Sequence, residues 1–233
     1  MVVVITGASK GIGRAIAENL AGEGYDLALC ARSEEGLHSL KEGLSASSSE
    51  SKVITMALDV RDRNALSTFA GMVLKEFGRI DVLINNAGVF VPGNIMDETE
   101  ETYDRIMQTN LDSAYFLTKS ILPSMIGRKS GHIINMCSVA SIQAYPNGGS
   151  YAISKHALHG FGKTLREEVR KYGIRVTNIL PGATWTESWD GVNLPQDRFM
   201  DVRNVAHIVH SAIHLDPNTV MEEIVLRPVQ GDI

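Results

Sequence analysis

The sequence has few of the residues on which several protein classes depend. Its 233 residues include only two cysteines, Cys30 and Cys137, and both lie at the ends of apolar runs. This excludes a disulfide-rich scaffold and predicts buried thiols in a reducing, cytoplasmic compartment. No apolar run approaches the roughly 20 residues that a membrane span needs. Residues 1–9 lack the basic start of a signal peptide, so we expect neither a membrane partner nor export.

Positive charge is also scarce. The chain has 22 Lys and Arg against 27 Asp and Glu, which gives a formal net charge of -5. Nucleic-acid-binding proteins usually show a basic excess, so no nucleic-acid partner is expected. The hydrophobic content of 44% and charged content of 21% are ordinary for a globular protein. A chain of this length fits one α/β domain over residues 1–233.

The hydrophobic pattern alternates between short apolar runs and longer periodic segments. The predicted strands are Val2–Ile5, Asp26–Cys30, Val53–Leu58, Ile80–Ile84, His132–Met136, Ile174–Leu180 and Glu223–Leu226. The predicted helices cover about Ile12–Ala21, a segment from Ser33, Asp62–Phe77, Glu100–Ile126, Gly149–Lys171 and Val202–Leu215. Apolar strands that do not alternate in polarity are buried on both faces. The pattern therefore predicts a single-domain Rossmann fold, with a doubly wound seven-stranded parallel sheet that binds ligands at the carboxyl ends of its strands.

A glycine loop follows the first predicted strand. The segment Thr6–Gly13 has the spacing Gly-x-x-x-Gly-x-Gly and leads directly into the first helix. Glycines let a backbone turn sharply and approach a pyrophosphate at the positive end of a helix. The alternative is a tight turn that only packs the helix against the strand. Its place between the first strand and the first helix favours a nucleotide site.

Two cations indicate which nucleotide is bound. The second predicted strand is followed by Arg32 where NAD-binding sites usually carry a carboxylate, and Lys10 lies in the glycine loop. Both cations would attract a ribose 2′-phosphate, and Arg32 could bind it in bidentate fashion. Each cation alone could be an ordinary solvated side chain. Together with the missing acid, they predict NADP(H).

A tyrosine and a lysine lie four residues apart on one predicted helix. This spacing places Tyr151 and Lys155 on the same helix face. A neighbouring cation favours the phenolate and would lower the tyrosine pKa from its usual value of about 10, which suits proton transfer. The alternative is a surface helix with Tyr151 packed at its rim.

Taken together, these segments resemble the short-chain dehydrogenase/reductase family over essentially the whole chain. Besides Thr6–Gly13 and Tyr151–Lys155, the resemblance rests on Asp59-Val60, Asn85–Gly88, Asn110, Ser138, Pro181-Gly182 and Thr186. It implies an enzyme that reduces a ketone or aldehyde with NADP(H) as a homodimer or homotetramer, without a catalytic metal. The implied cofactor-binding residues are Gly7, Ser9, Lys10, Gly11, Ile12, Gly13, Arg32, Asp59, Val60, Asn86, Ala87, Gly88, Tyr151, Lys155, Pro181, Gly182 and Thr186.

The resemblance also implies four catalytic residues, which are Asn110, Ser138, Tyr151 and Lys155. Tyr151 would supply a proton while Ser138 stabilises the negative charge that develops on the carbonyl oxygen. Lys155 would hold the nicotinamide ribose and lower the Tyr151 pKa. Asn110 would hold a water that links Lys155 to solvent, and Asn85 would support the adjoining sheet.

The sequence leaves the substrate open. The segment after Gly182 is expected to close the pocket, with a lid or ordinary packing formed by Trp185, Trp189, Phe199 and Met200. Predicted pocket neighbours are Phe90, Val91, Val139, Gln143 and Tyr145. The compact chain end is similar to bacterial sepiapterin reductases, whose pterin would need a carboxylate such as Glu187, Asp190 or Asp197. A 3-oxoacyl reductase and a non-catalytic NADP(H)-sensing module remain alternatives. The histidines at 207, 210 and 214 are expected on a partly exposed helix rather than at a metal.

Overall fold

The computed structural model describes residues 1–47, 51–189 and 191–232. Its strands are β1 Val2–Thr6, β2 Asp26–Ala31, β3 Val53–Ala57, β4 Val82–Asn85, β5 Gly131–Met136, β6 Ile174–Pro181 and β7 Glu223–Leu226. Its α-helices are α1 Gly11–Gly22, α2 Glu34–Ser47, α3 Arg63–Phe77, α4 Glu100–Met107, α5 Ser113–Arg128, α6 Gly149–Val169 and α7 Val202–His214. The predicted strands and helices are all found, and most of their ends shift by one to three residues.

The strands form one parallel sheet in the order β3-β2-β1-β4-β5-β6-β7. Parallel neighbours need crossover connections, and the helices between the strands supply them. The strand order reverses between β1 and β4, so their connections leave in opposite directions and open a crevice at the carboxyl ends. The predicted doubly wound seven-stranded sheet is confirmed.

Each face of the sheet has its own apolar core. Val3 and Ile5 of β1 join one core with α1, α2 and α7. Val2 and Val4 join the other core with α3, α5 and α6. Because both faces are covered, successive residues of β1 are all buried. Burying one such side chain contributes about 1.5–3 kcal/mol, which explains why this strand carries no polar alternation.

The long helix predicted over Glu100–Ile126 is interrupted. A π-helical turn at Gln108–Asp112 separates α4 from α5. This turn adds a residue to the helical repeat and places Thr109 and Asn110 in the interior. Such turns occur often at functional sites, and no pattern in the sequence marked this one. The predicted helix Gly149–Lys171 also ends early, because α6 passes at Arg170–Tyr172 into a 3₁₀ turn that stops at Gly173, with φ of 68°.

Candidate active site

A cleft of about 860 Å³ lies at the carboxyl ends of the strands. This volume is within the range of about 300–1,000 Å³ that is usual for small-molecule sites. Sixteen of the predicted cofactor-binding residues line the cleft, namely Gly7, Ser9, Lys10, Gly11, Ile12, Arg32, Asp59, Val60, Asn86, Ala87, Gly88, Tyr151, Lys155, Pro181, Gly182 and Thr186. Gly13 lies behind the lining, against the loop that forms it. The sheet therefore brings together residues that are up to about 180 positions apart in the chain.

The glycine loop turns because its residues can adopt a left-handed backbone. Gly7 and Gly11 have φ values of 66° and 54°. A side chain at Gly13 would overlap the carbonyl oxygen of Gly7 and come within 2.5 Å of Asn86 Nδ2. The loop can therefore pack against α1 only with glycine at this position. The first turn of α1 has no acidic residue, and its positive end faces the cleft.

Thr6 and Asn86 join the glycine loop to the end of β4. Thr6 Oγ1 accepts hydrogen bonds from the backbone N–H of Asn86 at 3.0 Å and of Ala87 at 2.9 Å. Asn86 Nδ2 donates to the carbonyl oxygens of Thr6 at 2.9 Å and Gly7 at 3.2 Å. This positioning role of Thr6 was not predicted. No local signal reveals it, because its partners lie 80 residues away.

The glycine loop and the ends of β2 and β3 carry the charged residues around the predicted nucleotide site. Arg32 and Lys10 line the cleft as expected, and so does Arg61, which was not predicted. Arg61 Nη2 lies 2.6 Å from Asp59 Oδ2. The Arg61 hydrogen bond holds the pKa of Asp59 below its usual value, and Arg32 adds to the effect. Asp59 is thus already compensated, so the nearby carboxylate does not cancel the charges of Lys10 and Arg32.

Asn110 fastens the segment that follows β4. Its Oδ1 accepts from Val89 N at 2.8 Å, and its Nδ2 donates to Val89 O at 3.0 Å and to Ser154 Oγ at 3.0 Å. Asn110 is buried and lies behind the cleft lining. A side chain at Gly88 would contact Asn110 Oδ1 at 3.5 Å and Lys155 Nζ at 3.6 Å. Asn110 and Lys155 therefore flank the same glycine, and the water between them stays a prediction.

Ser138 and Tyr151 meet at the centre of the cleft. Burial raises the Tyr151 pKa above its ordinary value, and a hydrogen bond with Ser138 partly offsets this. The Phe90 ring packs edge-on against Tyr151, with ring centroids 4.9 Å apart. A phenol with a raised pKa is protonated at neutral pH, so Tyr151 is in the form that can donate a proton.

The predicted lowering of the Tyr151 pKa by Lys155 is wrong for this structure. Lys155 Nζ lies 5.9 Å from the Tyr151 ring centroid and donates instead to the Met136 carbonyl oxygen at 2.8 Å. Desolvation therefore dominates the Tyr151 pKa, and the partial offset comes from Ser138 rather than from Lys155. The same burial lowers the pKa of Lys155 to about 8.

A chain of amides runs through the sheet below the catalytic residues. Asn85, Asn135 and Asn178 are register partners on β4, β5 and β6. Asn85 Nδ2 donates to Asn135 Oδ1 at 2.9 Å, and Asn135 Nδ2 donates to Asn178 Oδ1 at 3.1 Å. Asn85 supports the sheet as the resemblance implies, whereas Asn135 and Asn178 were not predicted. The Cys137 thiol also approaches Asn178 Oδ1, at 3.9 Å, which connects the chain to the residue before Ser138.

The residues predicted to surround the substrate are only partly found in the cleft lining. Of the pocket neighbours, Phe90, Val139, Gln143 and Tyr145 line the cleft, whereas Val91 is not in its lining. Trp189 also lines the cleft. Phe199 is buried between Trp185 and Trp189, with ring centroids 5.0 and 4.9 Å away. Three aromatic rings in edge-to-face contact account for most of the expected lid, so Trp185 and Phe199 serve mainly as packing.

Two carboxylates beyond β6 line the cleft, and one of them, Glu187, lies beside Gly11 of the glycine loop. Glu187 lines the cleft, while Asp197 lies in a short turn outside its lining. Asp190 lies outside the described residues. Asp232 lines the cleft beside Gly182 and forms an ion pair with Arg227. The Asp232 position was missed because nothing in the sequence shows where the final segment lies.

Within residues 1–47, 51–189 and 191–232, no helix has the length and apolarity to cross a bilayer. The same ranges contain no cluster of three or more metal-ligating side chains. On α7, His214 Nε2 lies 2.9 Å from Tyr25 Oη, and the rings of His210 and His214 are 3.9 Å apart.

Comparison with known proteins gives matches over nearly the whole chain. The short chain dehydrogenase family matches residues 1–197. A sepiapterin reductase of Chlorobaculum tepidum is 34% identical, and the match covers 100% of this chain and 98% of that protein. An alcohol dehydrogenase from the archaeon Thermococcus sibiricus, complexed with 5-hydroxy-NADP, is 30% identical at a TM-score of 0.93 and covers 100% and 98% of the two chains. L-Sorbose reductase from Gluconobacter frateurii, complexed with NADPH and L-sorbose, is 29% identical at a TM-score of 0.90, over 97% and 95%.

Proposed function

Because the chain belongs to the short-chain dehydrogenase family of oxidoreductases, we propose that it reduces a ketone or aldehyde carbonyl to an alcohol with NADPH. The main support for this proposal is that Ser138, Tyr151 and Lys155 line the same cleft as the glycine loop. The glycine loop and the start of α1 fit a dinucleotide. Gly7 and Gly11 keep backbone exposed to the cleft, and the positive end of α1 points there. A non-catalytic nucleotide sensor would have no need of the three side chains.

Bound NADPH would supply the hydride that adds to the carbonyl carbon. The Ser138 hydroxyl would donate a hydrogen bond to the carbonyl oxygen as negative charge develops there. Tyr151 Oη would transfer its proton to the same oxygen, which completes the alcohol. Its raised pKa keeps the phenol protonated at neutral pH, which is the form that donates a proton. Lys155, with a pKa of about 8, would hold the ribose hydroxyls of the bound cofactor.

The preference for NADPH over NADH rests on charge. Lys10 and Arg32 line the adenosine end of the cleft. Asp59, the nearest acid there, is paired with Arg61. A 2′-phosphate would therefore meet two cations, and Asp59, already paired with Arg61, would offset their charge only in part. The NADP compounds bound to the two solved relatives support the same choice.

A second candidate substrate is a pterin. Its aminopyrimidine ring would pair with a carboxylate, and Asp232 and Glu187 both reach the cleft. The relative from Chlorobaculum tepidum, a sepiapterin reductase, supports including this substrate class. Arg227 already pairs with Asp232, so a pterin would have to share or replace that partner. A substrate test should therefore include sepiapterin beside simple diketones, quinones, aldehydes and acetoacetyl thioesters.

We further propose a homodimer or homotetramer in the cytoplasm. The helices α4, α5 and α6 expose the large side chains Tyr103, Tyr115 and Ile153. Exposed apolar groups on neighbouring helices support an interface. The buried thiols of Cys30 and Cys137 support a reducing compartment.

NADPH oxidation by the wild type and by Tyr151→Phe, measured against this substrate panel, tests the proposal. We expect turnover by the wild type and a loss of about 10²–10⁴-fold in Tyr151→Phe, with NADPH binding retained. Tyr145→Phe is the matched control, because Tyr145 lines the cleft and its pKa is raised to about 12. If Tyr151→Phe turned over as fast as Tyr145→Phe, the role of Tyr151 would be wrong. If the wild type did not bind NADPH, the proposed cofactor would be wrong.

A further inference from the structure

A carboxylate from outside α6 lies against the first turn of that helix. Glu98 Oε1 and Oε2 each accept from the backbone N–H of Ser150 at 3.1 Å. The Ser150 hydroxyl donates to Glu98 Oε2 as well. Glu98 and Ser150 are 52 residues apart, so this contact joins the segment after β4 to the residue that directly precedes Tyr151.

The backbone around Ser150 is shaped to admit this carboxylate. Gly149 has a φ of 39°, and a side chain there would overlap Glu98 Oε1. The same side chain would come within 2.5 Å of the Gly93 carbonyl oxygen. Gly93 in turn donates its N–H to the Asn147 carbonyl oxygen at 3.0 Å. Glycine at 149 is therefore required both by the backbone conformation and by the space that Glu98 occupies.

Glu98 supplies a cap that α6 does not provide itself. The residue before the helix, Gly148, has no side chain that could bind the first N–H groups, and the first turn contains no acidic residue. A carboxylate at a helix N-terminus satisfies unpaired N–H groups and interacts favourably with the helix dipole. The first turn of α6 thus depends on Glu98 for both contributions.

The segment that carries Glu98 also contacts Tyr151 directly. Its start is fixed by the two hydrogen bonds between Val89 and Asn110. Its end is fixed by Glu98 on Ser150. Between these points, the Phe90 ring lies edge-on against the Tyr151 ring. Tyr151 is therefore held from two sides, through its own helix turn and through its ring.

We propose that Glu98 is a positioning residue that fixes the first turn of α6 and thereby the placement of the Tyr151 hydroxyl beside Ser138. The inference rests on the proposed function, because it assigns Tyr151 the proton transfer. Glu98 itself lies outside the cleft lining and acts through Ser150 and the turn that carries Tyr151.

Amide hydrogen exchange tests the cap without any substrate. Wild type, Glu98→Ala and Glu101→Ala are compared over peptides that contain residues 147–155. Glu101 is the control, because it is an exposed acid in the first turn of α4, close in sequence to Glu98. We expect faster exchange in the first turn of α6 for Glu98→Ala alone. Equal protection in all three proteins would overturn the proposal.

Kinetics then test the consequence for Tyr151. A small displacement of a reacting group can cost about 10²-fold in rate, so we expect kcat of Glu98→Ala to fall by about 10–100-fold. The dissociation constant of NADPH should not change, because the residues proposed to hold the nucleotide do not contact Glu98. Glu98→Gln keeps an oxygen acceptor for Ser150 N and should recover most of kcat. A purely structural role would instead lower kcat only in proportion to the folded fraction, with no recovery by glutamine.

Ser150→Ala is the milder second variant, used if Glu98→Ala does not fold. It removes the hydroxyl contact and keeps the backbone N–H bonds, so it should lower kcat less than Glu98→Ala does. A kcat of Ser150→Ala equal to that of wild type, with unchanged exchange over residues 147–155, would overturn the inference. If the wild type had no turnover, the proposed function would fail, while the exchange comparison would still decide whether Glu98 holds the turn of Tyr151.

Discussion

Two glycines of α6 should respond oppositely to the same substitution. Gly160 is exposed, and a Cβ there would have nothing within 4 Å. Gly162 is buried, and a Cβ there would overlap Asn178 Oδ1 and lie 2.7 Å from Asn178 Cγ and Nδ2. Asn178 Oδ1 accepts the hydrogen bond from Asn135 Nδ2 that links β5 to β6. Gly162→Ala must therefore move a side chain of the amide chain beneath the active site.

The size of the effect follows from three contributions. Alanine in place of glycine within a helix stabilises by about 1 kcal/mol. Overpacking a core costs about 1–3 kcal/mol. Leaving buried amide groups without a partner costs about 1–3 kcal/mol more. We expect Gly162→Ala to lower the free energy of unfolding by about 3 kcal/mol, and Gly160→Ala to raise it by up to about 1 kcal/mol.

Thermal unfolding of the wild type and both variants measures this difference. For a chain of this size, 1 kcal/mol corresponds to about 2–4 °C in Tm, so Gly162→Ala should melt about 6–12 °C below wild type. Gly160→Ala should melt at or slightly above the wild-type temperature. The reasoning is refuted if Gly162→Ala is as stable as Gly160→Ala, because the packing of Asn178 against α6 would then be loose.

Two further predictions concern charge. Arg32→Ala should weaken NADPH binding by about 10–100-fold, since a hydrogen bond to a charged group is worth about 1.5–3 kcal/mol. NADH binding should hardly change, and neither should NADPH binding in the exposed control Arg170→Ala; equal losses for both nucleotides in Arg32→Ala would contradict the 2′-phosphate assignment. The second prediction concerns Asp81. Burial alone would raise the pKa of its carboxyl group, but the hydrogen bonds from Arg79 and Arg128 hold this pKa below the ordinary value. Its carboxylate thus stabilises the fold above about pH 4 and loses this effect as the pH falls further. Asp81→Asn should cost about 1–3 kcal/mol at pH 7, and urea unfolding should show this difference shrinking towards pH 3.

The sheet and the glycine loop could be predicted because their signals are local. A run such as Val2–Ile5 is buried on both faces, so every residue in it is apolar. The glycines at 7, 11 and 13 are required by backbone conformation and close packing within a few residues of one another. Local geometry of this kind leaves a readable pattern in the chain.

The contacts that position the site could not be predicted, because they join distant segments. Asn135 and Asn178 are 43 residues apart, and Glu98 and Ser150 are 52 apart. Nothing near Asn178 or Glu98 in the sequence specifies its partner. The i, i+4 spacing of Tyr151 and Lys155 did predict that they would be neighbours. It could not show that burial would dominate the Tyr151 pKa, since burial depends on the whole fold.

The residues around the amide chain on β4, β5 and β6 and the residues of the proposed substrate end form two regions. Mutations can change one of these regions without changing the other. The proposed proton donor and its neighbours rest on this frame, whereas the proposed substrate end is built from residues 183–189, 191–200 and 227–232. The described residues between 183 and 200 are held largely by contacts with one another, such as the backbone bond from Trp185 N to Met200 O at 2.8 Å and the edge-to-face aromatic contacts of Phe199. Exchanging these two segments for those of a relative should therefore alter which carbonyl is accepted while leaving the reaction chemistry in place. The same fold and the same catalytic residues would then serve enzymes that differ only in the substrate they accept.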